Sequence, residues 1–152
     1  MKKAYLLVVT LLGVVLLTGC GGKGNVYTCQ LKQSIDSGGY SIGMKAEVNL
    51  ELNSDDNVSG ASMDYTVTVP DEAYEELKNT GDVDKQMNDL GDYFKKAVLN
   101  QIGDTSMIKD SSYKVKGKDI VLTFVFDMSK AAQLKSKEEA KTYFEAQNFS
   151  CE

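Results

Sequence analysis

The chain has no histidine, no arginine and no tryptophan, so every basic residue is a lysine. Each absence removes chemistry. Without histidine the commonest general base and the commonest zinc ligand are missing, and with them the histidine-dependent serine and cysteine hydrolases. Without arginine there is no planar fork to clamp a carboxylate or phosphate at two points. Acids outnumber bases 22 to 17, and the first residues take Lys2 and Lys3 but no acid with them if they are removed. A domain of that sign is repelled by nucleic acid and by anionic headgroups, so no nucleic-acid partner is expected. No internal repeat or low-complexity segment is present.

What is there begins with a leader. Lys2 and Lys3 precede an uncharged run from Ala4 to Thr18, closed by Leu17-Thr18-Gly19-Cys20. This is the layout of a secretory signal, too short and wrongly flanked for a lasting membrane span. Its ending resembles a bacterial lipobox, after which the leader is cut and the cysteine becomes the lipid-bearing N-terminus. That resemblance implies a signal peptide over residues 1–19, lipid (palmitate) on Cys20, and a cell-membrane anchor on the extracytoplasmic face. Gly21-Gly22-Lys23-Gly24 then reads as a flexible tether within residues 20–25. Residues 26–152 remain as one domain, long enough for a core of its own.

Within that domain, Tyr27, Cys29, Leu31 and Ile35 alternate with polar residues, as in a half-buried strand. Ser37-Gly38-Gly39 marks a turn. A cleaner alternation runs through Ile42, Met44, Ala46, Val48, Leu50 and Leu52, and a third through Ala61, Met63, Tyr65, Val67 and Val69. The polar loop Asn53–Asn57 between them predicts an antiparallel hairpin with one wet face bearing Lys45, Glu47, Glu51, Asp64, Thr66 and Thr68. Pro70-Asp71-Glu72 starts a short helix. Asp82 caps a longer one, whose Val83, Met87, Leu90, Phe94, Val98 and Ile102 step along one face, with Gly103 ending it. Strands follow over Ser112–Lys116 and Ile120–Phe126, the second so apolar that it reads as central and partly covered on both sides. Met128–Leu134 reads as a helical turn, and Ser136 with Glu139 forms a capping box for the last helix. The expected fold is α+β: an antiparallel sheet of about five strands with helices on one face, in the order βββααββα.

With Cys20 taken by lipid, Cys29 and Cys151 are left in an oxidising compartment and are expected to form one disulfide. A redox-active pair would need tuning of the Cys-x-x-Cys kind, which is absent. Asp55-Asp56-Asn57 is the densest set of oxygen ligands, but it lacks the glycine and distant glutamate of an EF-hand loop and reads as a hairpin loop. Glu72, Glu75 and Glu76 share one helix and read as a solvated face. Lys114, Lys116 and Lys118 cluster at a hairpin tip and read as a solvated turn. No catalytic residue, metal or cofactor is expected.

The lipobox at Cys20 and the tail Lys-Glu-Glu-Ala-Lys…Phe-Glu-Ala-Gln-Asn-Phe (Lys137 to Phe149) are joined by hairpin strands, a long middle helix and a strand rich in Val and Phe. Together these resemble the YehR-like family of small bacterial lipoproteins. The resemblance spans the mature chain loosely and implies an envelope location and an α+β domain, with no catalytic residues to carry over. The Cys29 and Cys151 pair is a departure from it. The expected function is a non-enzymatic binding or interaction module of the cell envelope, whose partner is an envelope protein or a small ligand. The alternative is a carrier of a small ligand or lipid, with a pocket between helices and sheet lined by residues such as Met44, Met63, Met87 and Phe94. An enzyme built on carboxylates or lysine has no residue that stands out for the task.

Overall fold

Alternation of apolar and polar residues decides most of this architecture, because a period of two puts every second side chain on one face of a strand. The structure, a computed structural model, describes residues 26–37, 39–102, 105–131 and 134–152. The leader, Cys20 and the tether lie outside the described residues, as does Gly103. Strands β1 (Val26–Ser37), β2 (Tyr40–Leu52) and β3 (Val58–Thr68) are followed by helices α1 (Asp71–Thr80) and α2 (Val83–Ile102). A single 3-10 turn at Thr105–Met107 leads to β4 (Ile108–Lys116) and β5 (Asp119–Phe126), then α3 (Lys137–Ala146) and β6 (Ser150–Cys151). The strands form one open antiparallel sheet in the order β4-β5-β3-β2-β1-β6.

The fold class is α+β, with six strands rather than five and a strand after the last helix. The additional strand spans two residues, Ser150 and Cys151, paired with Gln30 and Cys29. Two residues carry no periodicity, so only the tertiary pairing defines them as a strand. Thr28 and Glu152 exchange both backbone hydrogen bonds at 2.9 and 3.1 Å. Cys29 and Cys151 therefore face each other as a non-hydrogen-bonded pair, and a disulfide joins them across 122 residues of chain.

Local signals act where the sequence places them. Gly117 takes a φ of 59°, as the first residue of a two-residue hairpin turn requires. Pro70 sits one residue before α1, and its carbonyl accepts the first helical bond from Tyr74 at 2.9 Å. The Asp82 carboxylate accepts from the Lys85 N–H at 3.1 Å at the start of α2. The Ser136–Glu139 capping box closes in both directions. Within Met128–Leu134, Met128–Lys130 forms a turn and the Leu134 N–H closes a 3-10 bond to the Ala131 carbonyl at 3.0 Å.

The helices lie on one face of the sheet, over two adjoining apolar clusters. One gathers Met44, Val67, Val69, Met87, Ile120, Leu122 and Phe124 under α1 and α2. The other gathers Tyr27, Cys29, Val48, Leu50, Ala61, Leu134, Ala140 and Phe144 under α3. Met63 touches both. α2 approaches the sheet closely at Gly91, where an added Cβ would stand 2.5 Å from the Tyr113 ring. The strand expected to be covered on both sides, β5, is interior to the sheet, with Ile120, Leu122 and Phe124 buried. Its Val121 and Val125 belong to the face away from the helices and are half-buried there beside Thr123. Branched residues are favoured on a pleated surface, so their presence reflects strand packing and not a second helix layer.

The polar face is more shaded than a wet face need be. Lys45, Glu47, Asp64, Thr66 and Thr68 are half-buried by their neighbours, while Glu51 is exposed. Several of their polar atoms are paired, Lys45 with Glu47 along β2 at 2.6 Å and, across strands, Thr123 donating to Asp64 at 2.7 Å and Thr68 donating to Asp119 at 2.7 Å.

Candidate ligand cavity

The end of α3 sets up the site. Asn148 takes a left-handed φ of 66°, which asparagine tolerates better than most residues. This reverses the chain in a Schellman motif: the Asn148 N–H donates to the Glu145 carbonyl and the Phe149 N–H to the Phe144 carbonyl, each at 3.0 Å. The apolar contact that accompanies this motif is present, with the Phe144 and Phe149 rings edge to face at 5.4 Å. The reversal delivers Ser150 and Cys151 to the edge of β1, where the disulfide holds them.

Bent back in this way, the chain leaves a cavity of about 430 Å³ between α3 and the sheet. Met63 and Phe126 form its floor and Leu31 its outer side. Leu134, Phe144 and Phe149 close it from the helix layer, with Met107 at the end toward the 3-10 turn. Gln33, Gln147 and Asn148 bring amide groups to the lining and Tyr143 a phenol, and no charged side chain is among the described residues that line it. The arrangement is one of shape and apolar contact with a few uncharged hydrogen-bonding groups, the usual make-up of a small-molecule site.

Of the residues expected to line a pocket, only Met63 does. Met44 and Met87 are buried in the cluster under α2, and Phe94 packs against that cluster. The residues that do line the cavity come from β1, β3, the 3-10 turn, β5, the segment before α3, α3 and the turn after it, and run from Leu31 to Phe149 along the chain. The one local signal was Asn148-Phe149 directly after an amphipathic helix, the sequence form of a Schellman cap.

The other candidates take structural places. In the Asn53–Asn57 loop the Asn53 side chain accepts from the backbone of Asp55 and Asn57 at 2.9 and 3.0 Å. The Asp56 carbonyl accepts from Lys137 at 2.9 Å, tying the loop to the start of α3. Among the described residues no cluster of three or more His, Cys, Asp or Glu has metal-binding geometry. Glu72, Glu75 and Glu76 are exposed on α1, Glu75 paired with Lys78 at 2.6 Å and Glu76 accepting from the Tyr40 hydroxyl at 2.8 Å. Lys118 reaches Asp71 at 2.7 Å, and this pairing holds the Asp71 carboxyl below and the Lys118 amine above their ordinary ranges. Lys114 and Lys116 are exposed on β4.

No protein-family model matches the chain, and no curated protein matches it. The NMR structure of a protein from Streptococcus pneumoniae TIGR4 is similar at 14% identity over 94% of each chain, with a TM-score of 0.35. A likeness of that degree carries no argument about function. No helix among the described residues is long and apolar enough to cross a membrane.

Proposed function

We propose that this chain is an extracytoplasmic lipoprotein, held to the cell membrane by lipid on Cys20, that binds a small apolar ligand and performs no catalysis. The observation that carries the reading is the cavity of about 430 Å³, walled mostly by apolar side chains and with no charged one among the described residues that line it. That volume lies near the lower end of small-molecule sites, so it suits one acyl chain or one compact ring system better than a two-chain lipid. Gln33, Gln147 and Asn148 offer hydrogen bonds to an uncharged polar end. The lipobox-like leader supports the anchor, and the missing histidine and arginine, with the acids dispersed on solvent faces, support a binding role over an enzymatic one.

The test uses the absence of tryptophan. Ala146 is exposed at the rim, so Ala146→Trp places a bulky ring, and the only indole, at the mouth of the cavity. The mature lipidated chain is expected to bind a fluorescent fatty acid or a naphthalene-type dye with one-to-one stoichiometry, and Ala146→Trp is expected to lose at least tenfold in affinity. No saturable binding by the native chain, or equal binding by both, sinks the reading.

A further inference from the structure

The two edges of the sheet differ. The β4 edge carries Lys109, Lys114 and Lys116 and a bulge between Ile108 and Asp110, devices that discourage strand pairing. The β1 edge is covered only at its beginning, where β6 and Glu152 pair with residues 28–30. From Leu31 to Ser37 no described strand lies beside it. Because Thr28 exchanges both of its free-edge hydrogen bonds with Glu152, the antiparallel alternation directs the N–H and C=O of Lys32, Ser34 and Asp36 to the same open edge.

We infer that this edge pairs with the same edge of a second copy of the chain, antiparallel and centred on Ser34, so that two six-stranded sheets become one. Three features converge on that register. Ser34 is the midpoint of the free segment 31–37, so a two-fold axis there uses the whole edge, bounded by Ser150 at one end and the β1–β2 turn at the other. Ser34 is also one of the residues whose backbone groups point outward, so the axis falls on a hydrogen-bonded pair and the ladder is in phase. The same register sets Lys32 opposite Asp36 of the second copy, and Asp36 opposite its Lys32. Both side chains are exposed on the face away from the helices. Opposite charges directly across a ladder favour pairing, and an isologous contact makes each such pair twice. On the β4 edge the exposed charges of that face are Lys114, Lys116 and Asp110, and the acid sits at the bulge, where the ladder is locally disrupted. Neither cavity nor ligand enters the argument, so the contact stands whether or not the cavity is filled.

Sedimentation equilibrium of the mature lipidated chain in density-matched detergent tests the contact. The native chain is expected to be a dimer. Lys32→Asp is expected to weaken it on the order of tenfold or more, since both pairs become repulsive, and adding Asp36→Lys to that variant restores it. Ser34→Cys is expected to give a covalent dimer on oxidation, since Cα atoms of a hydrogen-bonded pair lie about 5.5 Å apart, whereas Lys32→Cys alone is not. A monomeric native chain at every concentration reached overturns the inference. So does a dimer indifferent to Lys32→Asp, or one that Ser34→Cys fails to cross-link while Cys29 and Cys151 remain joined.

Discussion

Phe124 and Phe126 lie two residues apart on the same face of the same strand, yet they occupy different kinds of interior. Phe124 is wholly buried beneath α2, in one cluster with Met87, Ile120 and Leu122. Phe126 is half-buried at the floor of the cavity beneath α3. The helix layer closes completely over Phe124 and leaves a cavity beside Phe126. The difference lies in how the helices are delivered to the sheet. α2 is a twenty-residue helix whose apolar stripe runs along the sheet and whose Gly91 allows close approach. α3 has ten residues, buries only Ala140 and Phe144, and is held at its far end by a Schellman turn and a disulfide. A long continuous stripe fills the space under a helix, whereas a short helix fastened at its ends leaves a gap between its fastenings.

Truncation is the sharpest way to break this comparison. Phe124→Ala is expected to cost about 3–5 kcal/mol in urea unfolding, and Phe126→Ala roughly half as much, because its ring already borders open space. Equal costs would mean that the hollow half is as tightly packed as the filled one. Removing the fastening comes next. The double variant Cys29→Ala with Cys151→Ala is expected to lose about 2–4 kcal/mol, from the long loop it frees in the unfolded chain, and to lose ligand binding as β6 leaves β1.

Adding volume should also separate the halves. Gly91→Ala, normally favourable inside a helix, is expected to destabilise by about 1–3 kcal/mol because its Cβ meets the Tyr113 ring. Ala146→Trp at the cavity rim is expected to stay within about 0.5 kcal/mol of the native chain. A smaller effect appears at high pH in the filled half. Burial pushes the Tyr65 phenol well above its ordinary value of 10.0, and its hydroxyl donates to the Met44 sulfur at 3.0 Å. Above that ordinary value the unfolded chain has lost the proton that the folded chain keeps, so stability falls as pH rises. Tyr65→Phe should flatten the fall in unfolding free energy measured through this range. An unchanged slope would remove Tyr65 as its cause.

The filled half was far more legible in the sequence than the hollow one. The alternations of β2 and β3 and the stripe of α2 are local patterns, and local physics decides them. The apolar run Ile120–Phe126 indicated an interior strand but not how many faces were covered, since hydrogen-bonding neighbours and packing neighbours both favour branched residues. β6 escaped because two residues show no period. The cavity escaped for a deeper reason: a void is defined by what several distant elements fail to fill. Methionine was the only compositional clue, and it fits closed core and pocket wall equally well, as Met87 and Met63 show.

The most direct test of the hollow half is native mass spectrometry of the mature lipidated chain, released from its own membranes into lipid nanodiscs and compared with Ala146→Trp. The native chain is predicted to carry a discrete, reproducible mass beyond its own lipid, and the variant to lack it. If both are bare, or if both carry the same added mass, the cavity is not a binding site.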